Sequence, residues 1–168
     1  MSYRKALHTV GWMVSFGMAS AIAVASSLPA GYHAVSETLT VSGYVHSQAQ
    51  IDALKADGVQ VVISLLPDGE QTVLDERAAV EKAGLSYVSI PVASAVDLTE
   101  ANVLALDRAL AEHADEKVLV HCASGNRVGA LLALRANWLH GASAEEAIVI
   151  GQEAGMTRLE APVRKLLR

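Results

Sequence analysis

The sequence predicts an α/β domain: a mainly parallel central sheet of about four to five strands flanked by helices. Three observations lead there. Short runs such as Val59–Leu66 and Lys117–His121 are apolar and rich in β-branched residues, as strands buried on both faces are. Each is followed by a segment with helical spacing of apolar residues, opened by a capping residue. This strand-then-helix unit recurs at least three times, the signature of a parallel sheet covered on both faces. The chain has 168 residues, an ordinary size for one domain, and 52% of them are apolar, enough for a real core.

The elements follow in order. Arg4 and Lys5 precede an almost wholly apolar stretch from Val10 to Ala25, then SSLPAG. This is the pattern of a secretory signal peptide over residues 1–25, with Ala23 and Ala25 at the small-residue positions before a cut. The alternative is an uncleaved membrane anchor of marginal length. Either places the rest across a membrane, so the expectation is an exported protein, periplasmic or envelope-associated in a bacterium. Residues 26–37 read as lead-in, with Gly31 to Ser36 loose, and 38–168 as a single domain.

Leu39 to Ser42 is a short strand. Ser47 caps a helix to about Ala56, Val59 to Leu66 is a buried strand, and Pro67-Asp68-Gly69 stops it. A helix is expected over Thr72 to Lys82, with Asp75 and Glu76 on its solvated side, and Leu85 to Val92 is the next strand. Thr99 caps a helix from Glu100 to His113. Lys117 to His121 is a core strand, and Val128 to Leu139 an apolar helix. Ser143 and Glu146 fit a capping box for the helix that follows, and an amphipathic turn or helix spans Thr157 to Leu167.

A formal charge of -5 and the lack of a basic patch argue against nucleic-acid partners. The histidines show no H-x-x-x-H or H-E-x-x-H spacing and there is one cysteine, so no metal is expected. The dinucleotide and nucleoside-triphosphate glycine motifs are missing, and no cofactor is expected. Membrane contact is expected only through the N-terminal segment.

A lone cysteine cannot close an internal disulfide. Its context, VLVHCASGNRVGALLALR, runs from a strand through small residues into a helix. Such a loop lines a concavity with backbone N–H groups at a helix N-terminus and favours an anion. A thiol in that setting becomes a usable nucleophile. Arg127 can present two parallel donors to a tetrahedral oxyanion. Gly125 supplies a positive φ or a close approach, Ser124 can donate to the anion, and Ala123 and Asn126 complete the loop. His121 is expected to support the loop and border the anion. Tyr44 and His46 are candidates for the rim.

The segment resembles the signature loop of tyrosine and dual-specificity phosphatases, a His-Cys pair followed by an arginine and then a hydroxyl residue and glycine. Residues 38–152 resemble small phosphatase-like bacterial domains. G-Y-V-H-S before the first helix, the P-D-G turn and a strand ending I-P-V agree. The resemblance implies Cys122 as nucleophile, Arg127 as oxyanion clamp and Asp97 as general acid, with Asp68 as substitute acid. It implies a phosphorylated small molecule or protein as substrate. The sequence departs from the signature in two ways: only Ala123 to Asn126 separate Cys122 from Arg127, one residue fewer than usual, and Val128 replaces the hydroxyl residue. A Cys-x4-Arg loop is also similar to that of rhodaneses, which implies a Cys122 persulfide and sulfur transfer. A third reading is a non-catalytic module that binds an anion or an anionic partner.

Overall fold

The computed structural model describes residues 30–70 and 73–168. Five strands form one sheet: β1 (Tyr32–Ala34), β2 (Leu39–Ser42), β3 (Val61–Ser64), β4 (Ser86–Ser89) and β5 (Val118–His121). Their spatial order is β1-β2-β5-β3-β4. The four strands from β2 to β4 across the sheet run parallel, and β1 lies antiparallel on β2. The helices are α1 (Gln48–Ala56), α2 (Glu76–Lys82), α3 (Glu100–Glu112), α4 (Asn126–His140), α5 (Ala144–Glu153) and α6 (Glu160–Arg164).

The capping residues act as expected. Ser47 accepts from the Gln50 amide and Thr99 from the Asn102 amide, and Ser143 and Glu146 close a reciprocal box at the start of α5. Each satisfies an amide that the first helical turn leaves unpaired.

Two expectations need correction. Part of the stretch read as loose, Tyr32–Ala34, is a strand, held by pairing Tyr32 with Ser42 and Ala34 with Thr40. Helix α2 is shorter than expected, starting at Glu76 with Asp75 as its N-cap through the Ala78 amide. The signal-peptide reading falls on residues outside those described. Among the described residues, no helix is long and apolar enough to cross a membrane.

Strand alternation divides the core between the two faces. Val61, Ile63, Val118 and Val120 pack with Leu106, Leu131, Leu134 and Ile148 of α3, α4 and α5. Val62 and Leu119 pack on the other face with Ile51, Leu54 and Val80 of α1 and α2. The register aligns Ser42, His121, Ser64 and Ser89 in one row at the carboxyl edge. Central β5 therefore delivers Cys122 to the end of the sheet where ligands of open α/β folds bind. By the same alternation, His121 falls on the α1/α2 face with Leu119, while Cys122 joins the cluster of the opposite face.

Candidate active site

The loop after β5 runs from Cys122 to Gly125, and α4 starts at Asn126. Gly125 is the N-cap at φ 80°, a left-handed conformation that costs a glycine almost nothing. It has no side chain to fill the amides of the first turn, and no side-chain cap is present there. These donors and the helix dipole form the anion-favouring concavity. A bridge between Gly43 and Ser124 ties the loop to the end of β2.

Arg127 is 8% exposed and lies within the first turn of α4. Nη1 donates to Val92 O at 2.6 Å and to Glu70 Oε2 at 3.0 Å, and Nη2 donates to Glu70 Oε1. Tyr44 also donates its hydroxyl to Glu70 Oε1, at 3.0 Å. Burial works against the Arg127 charge, yet the Glu70 hydrogen bonds and the charges of Cys122 and Glu70 hold its pKa above the ordinary value. The Arg127 hydrogen bond is the main influence holding Glu70 below the usual carboxylate range, with a smaller contribution from Tyr44. Glu70 is thus an ionised brace for Arg127 and cannot serve as a proton donor near neutrality.

Ala123, Ser124, Asn126 and Arg127 line a cavity of about 320 Å³ with Glu70, Ala93, Ser94, Ala95, Arg158 and Leu159. Cys122 is fully buried and does not itself line this cavity, and it is one of the groups that hold the Arg127 pKa up. The structure places Ala123, Ser124, Asn126 and Arg127 on the cavity, with Cys122 and Gly125 in the same loop, but it gives several side chains other tasks. Asn126 turns its Oδ1 away to accept from Thr157 N at 2.8 Å, Thr157 Oγ1 at 3.3 Å and Leu159 N at 3.3 Å. His121 is not a substrate contact. It is fully buried on the α1/α2 face, with Nε2 2.6 Å from Glu76 Oε1. That contact is close but out of line for a hydrogen bond, and Nδ1 has no hydrogen-bond partner among the described residues.

Asp97 ends a short 3₁₀ turn, Ala95–Asp97, and Ala95 with the preceding Ala93 and Ser94 lines the cavity. Its Oδ2 accepts from Ala93 N at 2.9 Å and Ser94 N at 3.1 Å, so the carboxylate is turned into its own loop. Asp68 lines a different cavity, beside Arg77 and Tyr87. Tyr44 reaches the site through Glu70. His46 is exposed, its ring 5.2 Å from that of Tyr44.

Sequence reasoning missed two carboxylates. Glu70 lies just beyond the P-D-G turn, and its role depends on β3 lying beside β5, for which the sequence carries no signal. Glu76, read as solvated, is 4% exposed and also accepts from Ser64 Oγ at 3.2 Å and Tyr87 OH at 3.4 Å.

Among the described residues, no group of three or more His, Cys, Asp or Glu side chains could hold a metal. A cysteine loop leading from the central strand into an uncapped helix, with an arginine braced beside it, places the chain in the tyrosine and dual-specificity phosphatase-like class. Comparison with known proteins agrees. The profile of the phosphatase-like domain of beta-lactamase hydrolase-like proteins matches residues 31–138, and the chain belongs to that family. A candidate phosphatase from Shewanella putrefaciens CN-32 is 27% identical, over 81% of this chain and 90% of its own, with a TM-score of 0.61. Another from Neisseria meningitidis Z2491 is 27% identical, over 79% of this chain and 94% of its own, with a TM-score of 0.65. TpbA of P. aeruginosa, crystallised with phosphotyrosine, shares the fold at 24% identity, 85% coverage of both chains and a TM-score of 0.63. No curated protein matches the chain.

Proposed function

We propose that this phosphatase-like domain hydrolyses phosphate monoesters through a cysteinyl-phosphate intermediate on Cys122. The observation that carries the reading is the open amide turn at the start of α4, with Cys122 at the head of the loop that leads into it and the braced Arg127 within it. The phosphoryl group seats on the amides of the loop, and Arg127 compensates the charge on its equatorial oxygens. The Cys122 thiolate attacks phosphorus, the bond to the ester oxygen breaks, and that oxygen takes a proton as it leaves. Water then attacks phosphorus, releasing phosphate and the thiolate. The substrate is a phosphorylated small molecule or protein, and TpbA with its phosphotyrosine is the precedent for a ligand of that kind.

Asp97 is the proton donor in this scheme. To act, it must release the Ala93 and Ser94 amides, which opens the wall the same loop builds. Asp97→Asn is expected to lower kcat on an alkyl phosphate, a poor leaving group, by about a hundredfold. On nitrophenyl phosphate, whose leaving group needs no proton, the change is expected to stay within roughly threefold. Equal losses on both substrates would reduce Asp97 to a loop cap.

The intermediate is the direct test. Rapid acid quenching during turnover of an aryl phosphate is expected to leave a phosphate adduct on the peptide carrying Cys122, read by mass spectrometry. Turnover that proceeds with no adduct, and unchanged by loss of the thiol, would overturn the cysteine mechanism. The rhodanese-like alternative requires a persulfide in place of that adduct, and the family membership and fold weigh toward the phosphatase side.

A further inference from the structure

The candidate mechanism uses one cation of the cavity, and the cavity has two. Arg158 lines it opposite no carboxylate: among the described residues it has no ion pair, while Arg77, Arg135, Arg164 and Arg168 each sit against an acid elsewhere. The only carboxylate in the lining, Glu70, is engaged by Arg127 and Tyr44. In a chain of formal charge -5, an uncompensated arginine at this place leaves the cavity with positive charge beyond what Arg127 supplies.

The position of Arg158 is also fixed by the anion loop itself. Both neighbours of Arg158 donate their amides to Asn126 Oδ1, Thr157 at 2.8 Å and Leu159 at 3.3 Å, and Asn126 is the first residue of α4. The turn that carries the second cation is thereby clamped to the residue beside the first. The lining also holds the small side chains Ala93, Ser94 and Ala95, and at about 320 Å³ the cavity has room beyond a phosphoryl group.

From this arrangement we infer that Arg158 is a specificity determinant for phosphate monoesters whose leaving group carries a second anionic group, a carboxylate or a further phosphate. The inference rests on the phosphoryl group occupying the loop, as proposed above. It concerns the leaving-group side of the cavity, where a charge on the substrate meets an arginine that no protein acid neutralises.

The test compares carboxyphenyl phosphate with its methyl ester, which keeps the ring and the phosphate and removes one charge. Turnover gives the ratio of kcat/KM for the two, and binding to Cys122→Ser protein gives the ratio of Kd. The wild type is expected to favour the carboxylate. Arg158→Ala is expected to reduce that preference by roughly fivefold, the upper range for an exposed charge pair. Arg158→Lys should restore much of it, and Arg108→Ala, which removes an equal charge from the exposed side of α3, should leave it unchanged. Equal losses on both substrates would assign Arg158 to the phosphoryl group and overturn the inference, as would a preference that survives Arg158→Ala or is missing from the wild type. If neither ester is turned over, the hydrolytic reading fails while the binding ratio still decides the role of Arg158.

Discussion

Cys122→Ser is expected to lower kcat on an aryl phosphate by at least about ten-thousandfold while the protein keeps its fold and its affinity for the ester. The magnitude follows from losing a covalent route, because a hydroxyl lacking an adjacent base is a weak nucleophile near neutrality. None of the groups around Cys122 supplies such a base: Arg127 is a cation, Glu70 is engaged by it, and His121 points to the other face of the sheet beside Glu76. Binding should persist because it is built from α4 amides and Arg127, which the substitution does not touch. Steady-state turnover and ester binding, measured on the same preparation, check both halves. Residual activity within tenfold of the wild type would place the chemistry outside the thiol.

The part of the site that was legible in the sequence is the part carried by one continuous segment. Strand β5, the glycine at the N-cap and helix α4 follow one another along the chain, so local signals fix Cys122, Gly125 and Arg127 in a single turn of space. The same holds for α1, α3 and α5, whose caps lie next to the apolar spacing that marks them. What escaped was assembled from distant segments. Glu70 and Glu76 are both in the region after β3, and each meets a partner delivered by β5, Arg127 and His121 respectively. Their roles require knowing that β3 lies beside β5, which sequence order does not state. An acidic pair at the start of a helix is ordinarily solvated and favourable to the dipole, and only the position of His121 makes Glu76 a buried exception.

Strand β1 was missed, and the hydrogen bonds of Asp97 were not foreseen, for a related reason. An aspartate in a loop near a predicted site is equally suited to proton transfer and to capping backbone amides, and the choice is made by where the loop turns. Here the 3₁₀ turn brings the Ala93 and Ser94 amides to the carboxylate. Strand β1 has no apolar alternation, with one half-buried and two exposed residues, because it is an edge strand that takes its conformation from pairing with β2.

Gly129→Ala is expected to destabilise the domain by roughly 3 kcal/mol or more, against the usual gain of about 1 kcal/mol for this change within a helix. The reason is the crossing of α4 and α5. A Cβ on Gly129 would lie 2.3 Å from Gly151 O, 2.5 Å from Met156 N and 2.8 Å from Met156 Cβ. Two of these are backbone atoms, so rotamer changes cannot relieve the overlap and the helices must separate. Gly151 meets the same contact from the other side, with Gly129 O and Ala133 Cβ each 2.9 Å from where its Cβ would be. Separation would also move Met156 and the adjoining Thr157, whose amide is held by Asn126 at the start of α4, where the anion loop ends. The loss should therefore show twice, as an earlier denaturant midpoint with an unchanged slope and as weaker ester binding by the protein that remains folded. A cost under about 1 kcal/mol would mean that α5 can shift on α4 without strain, and would remove the packing link between this helix pair and the site.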